Sequence, residues 1–335
     1  MTAWLQRQWY SQRRPSPALW LLLPLTALFV MLSGLRRMAY RCGFVKSVRL
    51  PVPVIVVGNL VAGGAGKTPL VLWLAEELRK RGRQPGIVSR GYGVAGAQPR
   101  PARPDDAPGD IGDEPLLLAR RSGVPVWVGR DRPAAGSALL AANPSVDLLI
   151  ADDGLQHYRL ARDAEVVVFD ARGVGNGWRL PMGPLREPIQ RLREVSAVVL
   201  NSGARGRIDG IEALPCFDMQ LAPGSFYRLD DPAVTCEVQS LTGKSLHAVA
   251  GIGDPSRFFR TLEALGLCFT AHPFPDHHPY RAGDLEFGPD AVVLMTEKDA
   301  VKCRGLTAHE TWVLPVQAQL PAALAEFLLE KINGR

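Results

Sequence analysis

The chain lacks any framework that cysteine could build. Its five cysteines, Cys42, Cys216, Cys236, Cys268 and Cys303, lie far apart, with no CxxC pair and no even set. That spacing suggests neither a zinc site nor a disulfide scaffold, so they read as ordinary thiols in a reducing compartment. Internal repeats are absent, and low complexity is confined to one proline-rich stretch, which excludes a repeat array. No strong excess of one charge exists either: 39 basic residues face 33 acidic ones, for a net +6. The excess favours acidic partners such as nucleic acid, anionic lipid or a phosphorylated substrate without choosing among them. What is present is ample apolar material, 47% of 335 residues, enough for two domains sharing an interface.

Where the charge sits is more telling than its sum. Arg7, Arg13 and Arg14 precede an apolar run from Ala18 to Leu35, and Arg36, Arg37, Arg41, Lys46 and Arg49 follow it. The run is about long enough to cross a bilayer. Pro24 interrupts it and Ser33-Gly34 weaken its end, so a helix lying in the membrane plane competes with a true span. No small-x-small cleavage site follows, which argues against a cleaved signal peptide. A membrane surface is therefore an expected partner, and residues 1–37 an expected membrane-associated segment.

Val52-Pro53-Val54-Ile55-Val56-Val57 is a short β-branched run of the kind that is buried on both faces of a sheet. It enters glycine-rich sequence, after which apolar positions from Pro69 to Arg81 take helical spacing, with Gly82 as the stop. Further buried strands are predicted at Gly86–Ser89, Val124–Val128, Val146–Ala151, Glu165–Asp170 and Ala197–Asn201. Such alternation predicts an α/β fold, a P-loop NTPase-like, doubly wound, mainly parallel sheet, here over residues 38–215. Between Gly93 and Asp113 four prolines predict a long functional loop. Two short segments, Phe217–Leu221 and Phe226–Leu229, flank Ala222-Pro223-Gly224 and predict a hairpin linker over 216–237. A second, smaller α/β domain is expected over 238–335, from a strand at His247–Ile252, a helix at Pro255–Leu265 and a strand at Ala291–Thr296.

The glycine-rich segment carries the chemistry. Val61-Ala62-Gly63-Gly64-Ala65-Gly66-Lys67-Thr68 resembles GxxxxGK[ST], except that Val61 stands at the first glycine. Glycines there let backbone N–H groups approach phosphate oxygens, and the helix that follows points its positive end at the same charge. Lys67 would reach the outer phosphates of a bound ATP and Thr68 would offer a hydroxyl to Mg2+. Asp152 and Asp153, where an apolar strand becomes loop, are the acidic contribution such a metal site requires.

These residues begin a longer series. Gly58-Asn59-Leu60 leads into the loop, followed by Ser89-Arg90-Gly91-Tyr92-Gly93 and Gly112-Asp113-Glu114-Pro115. Then come Asp152-Asp153-Gly154-Leu155-Gln156-His157, Pro181-Met182-Gly183-Pro184-Leu185-Arg186-Glu187 and Gly251-Ile252-Gly253-Asp254-Pro255. Asp276-His277-His278 and Thr296-Glu297-Lys298-Asp299 close it. In that order, over nearly the whole chain, the series resembles the tetraacyldisaccharide 4'-kinases of lipid A biosynthesis. It departs only at Val61, where a hydroxyl residue is usual, and at Leu155, where an aromatic is common. The resemblance implies transfer of the γ-phosphate of ATP to the 4'-hydroxyl of an acylated glucosamine disaccharide 1-phosphate. It also implies attachment to the cytoplasmic face of the inner membrane, with no nucleic acid and no obligate protein partner. The general base it implies is Asp113, supported by His277, with His278 as its neighbour. Arg90 and Arg186 are candidates to hold phosphate, because arginine's forked donors suit it.

Two rivals from other classes are a GTPase switch and a membrane-bound partitioning ATPase. Against the first, a guanine-reading NKxD ending at Asp299 would need Glu297 to be lysine and Thr296 to be asparagine. Against the second, no lysine stands between Lys46 and Lys67 to serve as a dimer-contacting residue early in the loop.

Overall fold

The computed structural model describes residues 2–11, 15–91, 98–201, 203–204, 208 and 210–334. Arg13, Arg14, Tyr92 and Gly93 lie outside the described residues. Two helices lead, α1 (Thr2–Ser11) and α2 (Leu23–Arg41), the latter entered through a 3-10 turn at Pro17–Leu22. The first αβ series runs β1 (Val54–Gly58), α3 (Lys67–Lys80), β2 (Pro85–Ser89), β3 (Arg100–Ala102), α4 (Pro108–Ile111), α5 (Asp113–Arg121), β4 (Val126–Val128) and α6 (Arg132–Ala142). It continues with β5 (Leu148–Asp152), β6 (Ala164–Phe169), β7 (Ala197–Asn201) and β8 (Cys216–Pro223). A second series holds β9 (Phe226–Arg228), β10 (Thr235–Cys236), β11 (Ser245–Ala250), α7 (Pro255–Ala264), β12 (Thr270–Pro273), β13 (Ala291–Thr296), α8 (Glu297–Cys303) and β14 (Glu310–Leu314). The chain closes with β15 (Val316–Gln319) and α9 (Ala323–Asn333).

The first sheet has the order β15-β8-β7-β6-β1-β5-β2-β4-β3, parallel except at its two edges. All five residues of β1 are buried. Ile55 and Val57 face the core beneath α3, α5 and α9, while Val54 and Val56 face the opposite core with Leu139 of α6. Burial on both faces is why that strand reads as an unbroken β-branched run. The second sheet has the order β10-β9-β14-β13-β11-β12, with β14, β13, β11 and β12 parallel.

The structure departs from the sequence reading in four places. The Phe217–Leu229 region is not a hairpin: β8 pairs with β7 and β15 in the first sheet, and β9 joins the second. Pro223 and Gly224 carry the chain across, and the turn composition is the same for a crossing as for a hairpin. The chain also does not end in the second unit, because β15 returns to pair with β8 and α9 buries Leu324, Leu328 and Ile332 in the first core. The proline-rich stretch is partly ordered, since Pro101 lies on the edge strand β3, where a missing donor costs no ladder bond. Pro24, finally, does not interrupt the apolar run. It sits in the first turn of α2, where a helix has no need of its N–H.

Helix α2 is anchored along its whole length to the first unit. Thr26 Oγ1 accepts from the Met182 amide at 3.1 Å, Arg179 donates to Ser33 Oγ at 2.9 Å, and Arg37 pairs with Glu194. Trp20 meets Trp178 edge to face, and Tyr40 lies against Tyr158. The opposite side leaves Leu21, Leu25, Leu28, Met31, Leu32, Leu35 and Met38 exposed.

Candidate active site

The loop after β1 is built by its neighbours. Gly66 takes φ +96°, and a Cβ there would lie 2.6 Å from Asn201 Nδ2 and 3.1 Å from Met219 Cε, so only glycine fits. Asn201, fully buried at the end of β7, donates to the Ala65 carbonyl at 3.1 Å, and Asn59 donates to that of Gly63 at 2.9 Å. Val61 explains its own departure from the loop pattern. It forms an antiparallel bridge with Leu185 and is buried in the core, a position that calls for no positive φ. Ala62 donates its amide to the Pro184 carbonyl and packs beside Trp9, Leu19 and Met182. Gly63, Gly64, Ala65, Gly66, Lys67 and Thr68 line the cleft, whereas Val61 and Ala62 face the protein.

Lys67 opens α3 and reaches both Asn59 Oδ1 and Asp153 Oδ1 at 3.4 Å. Asp153 also receives Arg186 at 3.3 Å on each oxygen, and these cations outweigh burial and hold its carboxyl below the usual range. Asp152 is nearly fully buried at the end of β5. Its Oδ2 accepts from Ser89 Oγ at 3.1 Å, and its Oδ1 has no partner among the described residues. Burial, with the charges of Glu114 and Asp153, pushes its carboxyl well up. A buried carboxylate oxygen without a partner, a second carboxylate next to it and the hydroxyl of Thr68 in the first turn of α3 are a donor set that fits a divalent cation. Mg2+ is a cation that keeps water and phosphate ligands and takes few from protein. Arg132, 2% exposed, braces this corner by donating to the carbonyls of Asp152 (2.9 Å) and Gly129 (3.0 Å).

Across the cleft, the second unit supplies His277. Its Nδ1 lies 2.9 Å from Asp113 Oδ2 and 3.1 Å from Oδ1, although 164 residues separate the two. Asp113 is the first residue of α5, which follows Gly112 at φ +90°, and its Oδ1 also accepts from the Glu114 amide. Burial alone would raise the Asp113 carboxyl. The His277 hydrogen bond and the charges of Lys298 and Lys302 outweigh it and hold the group below the usual range, while Asp113 raises His277. Asp153 and His277 are the two non-glycine residues with positive φ among those described, +47° and +59°. Backbone strain of this kind persists where surrounding contacts fix a functional geometry. His278 points elsewhere, to Asp284 at 3.0 Å between the rings of Phe274 and Tyr280.

Gly63–Thr68, Ser89, Asp113, Asp152, Asp153, His277 and Lys298 border one cleft of about 1450 Å³. That exceeds the usual small-ligand pocket of about 300–1000 Å³, so a nucleotide and a second substrate fit together. Arg90 and Arg186 line it, and so do Phe29, Val30, Ser33, Arg36 and Arg37 from the inner side of α2. Sequence reasoning missed Asn59, Asn201, Arg132 and Arg172. The last donates to the Gly64 carbonyl at 2.5 Å while paired with Asp170. Only the position of Asn59 within a motif hinted at any of them.

A buried parallel strand, a phosphate-binding loop capping a helix, and an acidic neighbouring strand end together define the P-loop class. The family model for tetraacyldisaccharide-1-P 4'-kinase matches residues 18–333, and the chain belongs to that family. It is 59% identical to the tetraacyldisaccharide 4'-kinase of Dechloromonas aromatica (strain RCB), over all of this chain and 99% of that protein. The corresponding protein of Azoarcus sp. (strain BH72) is 50% identical, covering 96% of this chain and 95% of its own length. Among solved structures, LpxK from Aquifex aeolicus in complex with ATP superimposes with a TM-score of 0.81 at 29% identity, covering 94% of this chain and 99% of that one.

Proposed function

We propose that the chain transfers the γ-phosphate of ATP to the 4'-hydroxyl of a tetraacylated disaccharide 1-phosphate, at a membrane surface. The observation that carries this is the Asp113–His277 pair facing a phosphate loop within one cleft. The sugar oxygen attacks the γ-phosphorus, the bond to the bridging oxygen of ADP breaks, and the hydroxyl proton passes to Asp113. Because His277 and the Glu114 amide both hold the carboxylate, Asp113 is kept oriented and ionised until the proton arrives. Lys67 and the amides of Gly63–Thr68 face the charge that shifts toward the leaving group. Thr68, Asp152 and Asp153 would hold Mg2+, which supplies charge neutralisation on the phosphates when bound. Arg90 and Arg186, which line the cleft, would take a phosphate of either substrate.

The membrane reading rests on α2. Seventeen to forty-one is long and apolar enough to cross a bilayer, with a mean hydropathy of 2.1 over its best window. Yet a helix tied to the protein from Trp20 to Arg41 has no free length to span with. It would lie in the plane of the cytoplasmic leaflet, its outer face in the acyl region and its inner face forming a wall of the cleft. A disaccharide could then reach the loop while its acyl chains stay in lipid.

Purified chain incubated with labelled ATP, Mg2+ and disaccharide 1-phosphate lipid in detergent should yield labelled bis-phosphorylated lipid, and EDTA should abolish it. ATP hydrolysis without lipid phosphorylation, or a preference for GTP, would overturn the kinase reading in favour of a nucleotide-driven switch.

A further inference from the structure

Beyond the charge that Lys298 sets near Asp113, the Thr296-Glu297-Lys298-Asp299 segment has no part in the chemistry above, yet every one of its side chains is engaged. Thr296 Oγ1 caps α8 by accepting from the Asp299 amide at 3.2 Å. Glu297, buried, pairs with Arg121 of α5 and accepts from the Val316 amide at 3.3 Å. Asp299, fully buried, accepts from the Gly251 amide at 3.0 Å and pairs with Lys302 at 3.0 Å. Lys298 has the most unusual surroundings. Its ammonium lies 3.1 Å from Glu114 Oε1, 3.3 Å from Asp276 Oδ1 and 3.5 Å from His277 Nε2, with 19% of the side chain exposed. One cation thus touches α5, the His277 loop and the histidine ring itself.

We infer that Lys298 is a positioning residue for phosphoryl transfer, which fixes the ring orientation and tautomer of His277 so that Nδ1 presents its hydrogen to Asp113. The inference rests on the kinase reading above. An ammonium has donors and no acceptor, so the ring nitrogen facing it must be the unprotonated one. Nε2 faces Lys298, which leaves the hydrogen of the neutral ring on Nδ1, the nitrogen 2.9 Å from Asp113. Asp276 Oδ2, at 3.9 Å from Nε2, is the group that would favour the other tautomer, and Lys298 neutralises it. Lys302, one turn along the same face of α8, stands 4.0 Å behind Asp113 over the Tyr280 ring. The charged groups facing the pair are therefore Glu114 on α5, Asp276 beside His277, and Lys298, Lys302 and Asp299 on α8. Because α8 packs on α5, the same lysine registers the second unit against the first.

Two measurements test this. In steady-state assays Lys298→Met should lower kcat by about ten- to a hundredfold while the KM for ATP changes little, and Lys298→Arg should recover part of the loss. The acid limb of the rate profile should move to higher pH in Lys298→Met, because a cation that favours the Asp113 carboxylate is gone. A purely structural role for α8 would lower the melting temperature without moving that limb. Independently of activity, 15N spectra of the wild-type imidazoles, with His277 assigned by its loss in His277→Gln, should show the neutral ring protonated at Nδ1. A wild-type His277 protonated at Nε2, or a folded Lys298→Met with wild-type kcat, overturns the inference. Absence of lipid phosphorylation by the wild type, with the Nδ1 tautomer present, would sink the kinase reading instead.

Discussion

Replacing Asp113 with Asn isolates the chemistry from the architecture. The amide has the volume of the carboxyl, and its oxygen can still accept from the Glu114 amide and from His277 Nδ1. Asp113 is buried, and its partners are the Glu114 amide, His277 and Lys302 and not the phosphate loop, so no hydrogen bond or ion pair to that loop is removed. What vanishes is a proton acceptor. General-base catalysis contributes about 10²–10⁴-fold, or about 3–5 kcal/mol of barrier. The expected result is a kcat lower by that factor with the KM for ATP nearly unchanged. Lys298 and Lys302 lose a partner charge at 10–20% side-chain exposure, so a melting temperature a few degrees lower is compatible with the argument. If His277 acts only through Asp113, the Asp113→Asn/His277→Gln double variant should be no slower than Asp113→Asn alone. The assay is transfer of labelled phosphate from ATP to lipid in mixed micelles, with kcat and KM separated for each substrate. A folded Asp113→Asn enzyme within a fewfold of wild-type kcat would refute the base assignment, and additive losses in the double variant would refute the pairing.

The pair also sets a pH window for stability. Asp113 is depressed and His277 raised relative to 3.8 and 6.5, so their mutual stabilisation is complete between those values. It is lost as pH falls through Asp113's folded pKa and as pH rises through His277's. The difference in melting temperature between wild type and His277→Gln should therefore peak inside the window, and a difference that keeps growing above pH 8 would contradict it. Gly66→Ala should weaken ATP binding roughly 30- to 1000-fold by calorimetry. The left-handed backbone and the overlap with Asn201 together cost about 2–4 kcal/mol, and an unchanged Kd would show that the loop tolerates a side chain. Arg132→Met leaves the carbonyls of Gly129 and Asp152 without donors, a cost of about 2–4 kcal/mol, and should lower the melting temperature by about 5–10 °C. A shift under 2 °C would mean those carbonyls find other partners. Leu28→Asp/Leu32→Asp/Leu35→Asp charges the outward face of α2 and should stop the protein floating with anionic vesicles while its melting temperature holds. Flotation equal to wild type would remove that face from the membrane contact.

The sequence by itself determined what depends on neighbours along the chain. Val54–Val57, buried on both faces, had to be β-branched, and a helix starting at Lys67 after Gly63-Gly64-Ala65-Gly66 had to open on a phosphate-binding turn. Asp152 at the end of an apolar strand was legible for the same reason, as were the strands Ala197–Asn201 and Ala291–Thr296. The ordered motifs carried the family.

Tertiary structure alone decided which distant groups meet. Nothing local tells that Asp113 and His277 are 2.9 Å apart, that His278 turns to Asp284 instead, or that one lysine in α8 touches both sides of the cleft. The same holds for Val61, whose bridge to Leu185 replaces the glycine expected there, and for β8 and β9, which share a turn-rich stretch yet enter different sheets. It holds for α2 as well, whose docking along the body through Thr26, Ser33 and Arg37 its composition does not foretell. The physical division is one of range. Periodicity and loop chemistry are written within a few turns of chain, whereas sheet pairing, burial and hydrogen bonding between segments more than a hundred residues apart are selected by the packing of the whole, and leave no signature at either partner.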